Sequence, residues 1–163
     1  MRDGTTTRQL EQFYSAFQRR DHAGMAACYH AEATFTDPVF ALRGKEIAAM
    51  WHLLCEGGAD LQVTFSGIET DGTTGRAHWE ARYTFSTSGR KVHNVIDAQF
   101  RFKDGLIVEH RDQFDFWRWS RQALGPTGAL LGWTPMMQGR VQRTARERLT
   151  RFIERHPEYQ LGL

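Results

Sequence analysis

The sequence predicts an α+β domain in which three N-terminal helices cover the concave face of a strongly curved, cone-shaped antiparallel sheet. Two observations carry this reading. Apolar residues recur at spacings of three and four through the first third of the chain, then alternate with polar ones from residue 61 to residue 119. Asp71-Gly72, Ser88-Gly89 and Asp104-Gly105 divide the alternating stretch, and such pairs favour hairpins, so its strands are expected to be consecutive and antiparallel.

Taken in order, residues 5–20 place Leu10, Phe13, Tyr14 and Phe17 on one stripe, which predicts the first helix. Asp21 suits the cap of a short second helix with Met25, Cys28 and Tyr29 inward and Gly24 as a weak point. Residues 35–40 then read as extended. Asp37 precedes Pro38, whose ring pushes its neighbour toward β or polyproline geometry, so this carboxylate sits at a strand end, either as a fixed chemical group or as a turn opener. Gly44 opens a third helix with Ile47, Met50, Trp51 and Leu54 on one face, and Gly57-Gly58 ends it. Four strands follow, over residues 61–65, 77–85, 92–102 and 106–116.

The C-terminal segment, residues 120–163, differs in character from the core at 5–119, and the whole chain is expected to form one domain. Residues 122–138 read as a Gly- and Pro-rich loop beside Trp117, Trp119 and Trp133, and a final helix from about residue 136 to 155 carries Val141, Ala145, Leu149 and Phe152 on one face. Trp133 and Met136-Met137 either close the cone mouth as a mobile lid or simply fill core space. Arg140, Arg143, Arg146, Arg148 and Arg151 on the other face read as a solvated surface.

Composition narrows the function classes. The chain has 163 residues, 40% hydrophobic and 25% charged, with a net charge of +2, short of the clustered positive surface of a nucleic-acid binder. Cys28 and Cys55 have neither disulfide-framework nor zinc-motif spacing. No apolar run approaches the ~20 residues that span a bilayer, and the N-terminus lacks an apolar signal core, so a cytoplasmic protein is expected. No helix pattern pairs an HxxxH with a carboxylate, and His110-x-Asp112 offers two ligands only, so neither metal nor cofactor is expected.

Alternation along the last strand sets His110, Asp112 and Phe114 on one face and Glu109, Arg111 and Gln113 on the other, and the first set is expected to face inward. On the preceding strand Asn94, Ile96, Ala98, Phe100 and Phe102 share a face, which turns His93 outward. The face taken by His78 and Glu80 is left open.

Together, Tyr14, the run Ala33-Thr34-Phe35-Thr36-Asp37-Pro38-Val39, Gly44, Phe100-Arg101-Phe102 and Asp104-Gly105-Leu106-Ile107-Val108-Glu109-His110 resemble the nuclear transport factor two-like superfamily, in its ketosteroid isomerase and SnoaL-like polyketide cyclase branches. The resemblance implies a cone-shaped α+β barrel with an apolar pocket that dimerises through its outer sheet face. It implies Asp37 as a proton-shuttling base and Tyr14 as a hydrogen-bond donor. The isomerases' second donor, an aspartic acid, falls on Ala98 here, and Asp97 one step away turns to the opposite face. In the cyclases a His-x-Asp like His110-x-Asp112 supplies the acid/base aspartate.

The expected function is that of a small-molecule pocket protein, in the form of a cofactor-free isomerase, cyclase or hydrolase acting on a hydrophobic substrate. Asp37 or Asp112 would be the base, Tyr14 or His110 the donor, and Trp51, Asn94, Phe100, Phe114 and Trp133 would hold the substrate. The alternative is a non-catalytic ligand-binding or protein-interaction module of the same fold.

Overall fold

The computed structural model describes residues 2–160. Helix α1 (Arg2–Gln18) buries Leu10, Phe13, Tyr14 and Phe17, the stripe that the spacing predicts. Asp21 caps the short α2 (His22–Ala26) by accepting from the Gly24 N–H at 3.0 Å. A Cβ on Gly24 would lie 2.5 Å from that carboxylate, so the residue that weakens the helix is the one its cap can accommodate.

Strand β1 (Tyr29–Thr36) starts earlier than the extended run expected at 35–40, and it removes Tyr29 from the second helix. Residues 37–40 instead form the turn into β2 (Ala41–Arg43). Helix α3 (Lys45–Gly57) lies between Gly44 and Gly58, and buries Ile47, Met50 and Trp51; Leu54 is 45% exposed, beyond the edge of the buried stripe. Strands β3 (Gln62–Thr70), β4 (Thr74–Phe85), β5 (Arg90–Lys103) and β6 (Leu106–Gln113) form the expected antiparallel meander.

The sheet order is β2-β1-β6-β5-β4-β3. Here the wholly antiparallel expectation is corrected, because β1 pairs in parallel with β6, setting Phe35 beside His110. The chain between them supplies the crossover that a parallel pair requires. The six strands form a curved open sheet with edges at β2 and β3, not a closed barrel.

The expected loop at 122–138 is also corrected. Two helices occupy most of it, α4 (Phe116–Leu124) and α5 (Pro126–Leu131), and α6 (Pro135–Glu154) follows. Asp115 caps α4 through the Arg118 N–H at 3.0 Å, and Phe116, Trp119, Ser120 and Ala123 make its buried stripe. Gly128 reads as a breaker in sequence but serves a contact: a Cβ there would fall 1.9 Å from the Ser120 carbonyl oxygen. Only glycine lets α5 approach α4 so closely.

Helix α6 docks on α3 with Leu149 and Phe152 buried and Arg146 paired to Glu46. Trp133 stays 68% exposed, its indole N–H donating to the Leu130 carbonyl, and Met137 turns inward in its place. No helix among the described residues is long and apolar enough to cross a membrane.

Leu149→Ala is therefore expected to cost about 2–5 kcal/mol of unfolding free energy in urea titrations, the usual range for a fully buried leucine. Trp133→Ala, at an exposed position, should stay within about 0.5 kcal/mol of the parent.

Candidate active site

Between the concave sheet face, α3, α4 and α6 lies a cavity of about 1010 Å³ with mainly apolar walls. Asp37, Trp51, Tyr83, Asn94, Asp112 and Phe114 are among the residues that line it. The two carboxylates reach it from different elements, Asp37 from the β1–β2 turn and Asp112 from the end of β6.

Asp37 is fixed by its own turn. Its Oδ1 accepts the N–H groups of Val39 and Phe40, each at 2.7 Å, and its backbone N–H donates to the Phe40 carbonyl at 2.9 Å. Burial pushes its carboxyl up from 3.8 to about 6. The two backbone donors oppose that rise, while the charge of Asp112 adds to it.

Asp112 ends a directed chain of hydrogen bonds. The Trp51 indole N–H donates to the Tyr29 hydroxyl at 3.0 Å, and Tyr29 meets His110 Nδ1 at 2.7 Å. His110 Nε2 lies 2.8 Å from Asp112 Oδ1, which also accepts the Trp79 indole N–H at 3.3 Å. The bonds are all satisfied in one sense: Tyr29 accepts from Trp51 and donates to Nδ1, so Nε2 carries the proton given to Asp112. Both bonds to Asp112 fall on Oδ1, which leaves Oδ2 for the cavity.

The expected site residues divide by depth. Asp37, Asp112, Trp51, Asn94 and Phe114 line the cavity. His110, Tyr14 and Phe100 pack behind that wall, His110 at 1% exposure with the Phe100 ring 4.3 Å from its own. Tyr14 stacks on Phe65 at 5.3 Å, and its hydroxyl has no hydrogen-bond partner among the described residues. Burial, then the charge of Asp112, raises its pKa well above the usual tyrosine value, which keeps the phenol protonated. Trp133, like Phe100, is an expected binding residue that the fold does not place on the cavity wall: its short turn holds the indole in solvent, and Met137 and Val141 of α6 line the cavity instead.

Two tyrosines at the site, Tyr83 and Tyr29, are not among the expected site residues. Tyr83 lines the cavity, and its oxygen accepts the Trp119 indole N–H at 2.8 Å, which leaves the hydroxyl proton free to donate. Burial raises its pKa, opposed by the Trp119 bond and reinforced by Asp37. Alternation along β4 with Ala81 marks Tyr83 as inward, whereas no sequence signal foretold that Tyr29 would reach His110, 81 residues away.

The outer sheet face carries a second polar group. His78 Nδ1 and Nε2 meet Asp97 and Glu80 at 2.9 Å each, and His93 Nε2 meets Glu80 at 2.6 Å. This settles the open question of His78 and Glu80, which point away from the cavity. Near the cavity rim His52 stacks on His22 at 3.6 Å, and burial with the neighbouring histidines lowers its pKa.

A family model for the SnoaL-like domain matches residues 10–110. The chain belongs to that family. Solved structures agree in fold. An LEH-like epoxide hydrolase of M. tuberculosis is 21% identical with a TM-score of 0.64, over 80% of this chain and 97% of that one. A protein named as a candidate SnoaL-like polyketide cyclase from Jannaschia sp. CCS1 is 14% identical with a TM-score of 0.66, over 76% and 94% of the two chains. A protein with a ketosteroid isomerase-like fold from Catenulispora acidiphila, solved in complex with trimethylamine, is 14% identical with a TM-score of 0.64, over 78% and 97%. No curated protein matches the chain.

The raised Asp37 pKa has a thermodynamic sign. Between pH 3.8 and about 6 the folded protein keeps a proton that the unfolded chain has lost, so stability falls as pH rises through that window. Above it the cost reaches about 3 kcal/mol, at 1.36 kcal/mol per unit. Asp37→Asn should therefore gain stability over the parent at pH 8 and lose that advantage at pH 4, as read by denaturant titration at the two values.

Proposed function

We propose that this protein catalyses a cofactor-free proton transfer on a small hydrophobic molecule, of the isomerisation, cyclisation or epoxide-hydrolysis type. The observation that supports this most is the presence of two carboxylates, Asp37 and Asp112, on the wall of one apolar cavity, with the Asp37 carboxyl at about 6. A base with a pKa near the working pH combines the right protonation state with enough basicity to take a proton. In this reading Asp37 is the base, and the Tyr83 hydroxyl and Asn94 hydrogen-bond the substrate. Asp112, held by His110 and Trp79, adds its charge to the burial that keeps the Asp37 carboxyl high enough to serve as a base near neutral pH. Apolar walls strengthen these interactions by excluding water. The family and the epoxide hydrolase relative support this range of chemistry without choosing within it.

A second reading rests on the Asp37 turn. Both backbone bonds fall on Oδ1, as in a structural turn cap, and a module that only binds a ligand has the same need for that turn. Enolisable ketones, polyketide mimics and epoxides should be screened with the parent and with Asp37→Asn. Catalysis by Asp37 gives a loss of at least ~100-fold in rate with ligand affinity retained. Absence of turnover by the parent, with a ligand still bound in the cavity, favours the binding module.

The outer sheet face, with its His78–Glu80–His93–Asp97 group beside Val95 and Gln99, is the surface proposed for a second copy of the chain. Light scattering at micromolar concentration should give a dimer. A monomeric mass overturns this assignment without touching the chemistry.

A further inference from the structure

His52 and Glu56 stand one turn apart on α3, with His52 Nε2 at 3.3 Å from Glu56 Oε2. His156 follows α6 and opens the 3-10 turn Pro157–Tyr159, which packs back on α3. One ligand atom from each of the three residues lies within 4.8 Å of the other two. The remaining ring nitrogens are already engaged: His52 Nδ1 bonds the Tyr159 hydroxyl at 2.9 Å and His156 Nδ1 bonds the Phe152 carbonyl at 2.8 Å. A carbonyl only accepts, so His156 carries its proton on Nδ1 and presents Nε2 as a lone pair.

We propose that His52, Glu56 and His156 form a binding site for a zinc-type divalent transition-metal ion, with a fourth position open at the cavity rim. Three features support it. Two imidazoles and one carboxylate suit zinc or cobalt, whereas magnesium and calcium prefer all-oxygen shells. Each histidine already has an outer partner that orients its ring, the Phe152 carbonyl for His156 and the Tyr159 hydroxyl, able to accept from Nδ1, for His52. Binding at about 2.0–2.2 Å from each ligand requires the trio to contract slightly. The Glu56 side chain is 62% exposed and free to swing inward, while the two rings are already held.

Glu56 and His156 line the cavity, so an ion here meets its contents. It also ties the end of α6 to α3. His156 lies outside residues 10–110, the span that the family model matches, so one of the three ligands comes from the C-terminal segment. The competing account is a helix-surface His–Glu pair packed beside aromatic rings, with no affinity for metal.

Untagged full-length protein, stripped with chelator, should be titrated calorimetrically with Zn²⁺ and with Mg²⁺, and its Co²⁺ complex recorded by visible absorption. Expected are one Zn²⁺ per chain, no Mg²⁺ binding, tetrahedral Co²⁺ bands and a higher melting temperature with Zn²⁺. Tyr159→Phe should weaken Zn²⁺ about 10–100-fold as an outer-shell change, and Glu56→Gln and His156→Gln at least as much. Glu56→Gln alters a mostly exposed side chain, so it keeps the test valid if His156→Gln fails to fold. No Zn²⁺ binding by the parent, or binding undiminished in Glu56→Gln, overturns the proposal.

Discussion

The buried His110–Asp112 pair is the constraint on which the interior depends. Both side chains are nearly inaccessible, and a polar pair withdrawn from water is tolerated only when its remaining hydrogen-bonding capacity is met. The hydrogen-bond network around the pair spans four elements: Tyr29 from β1 and Trp79 from β4 bond the pair, Trp51 from α3 bonds Tyr29, and the pair itself is on β6. Meeting the demand of two side chains thus fixes the sheet register, the parallel neighbour of β6 and the placement of α3. The Phe13, Phe35 and Phe100 rings close the remaining space around the imidazole at 5.7, 4.9 and 4.3 Å.

That arrangement separates two roles for polar groups. His110 and Tyr29 are structural and electrostatic, reaching the cavity only through Asp112. Asp37 and Tyr83 are held by a turn and by Trp119, and they present themselves directly to whatever the cavity holds. A carboxyl lifted toward neutrality by apolar walls costs stability at the pH where it is ionised.

Where one element's own pattern decided the outcome, the sequence was readable. Period-two alternation placed His110, Asp112 and Asn94 inward, and helical spacing placed Phe13, Phe17 and Trp51 in the core. Where the outcome turned on a long-range contact it was hidden. Tyr14 was aimed inward correctly, yet its depth depends on how Phe65 and Phe100 fill the space above it. Helix α4 carried its signal in Asp115 and the Phe116, Trp119, Ala123 stripe, but its first residue falls in the strand expected at 106–116, which in fact ends at Gln113, and its last turn in the loop expected at 122–138. The His52, Glu56 and His156 group offers only an i,i+4 pair in sequence, and its third member arrives from a segment 104 residues on that packs back against α3.

The parallel pairing of β1 with β6 also governs how the molecule comes together in time. Strands β3 to β6 are joined by short hairpins and need only local search to associate, whereas Tyr29 must wait for His110, 81 residues further along. Loop-closure entropy is met before such a distant pairing rewards it, which makes the pairing the slow step of assembly. On a ribosome, β1 and β2 therefore emerge long before the strand they will lie against. Until β6 follows, Phe35 and the apolar stripe of α1 lack their sheet, and the early part of the chain is the part with most to gain from a chaperone.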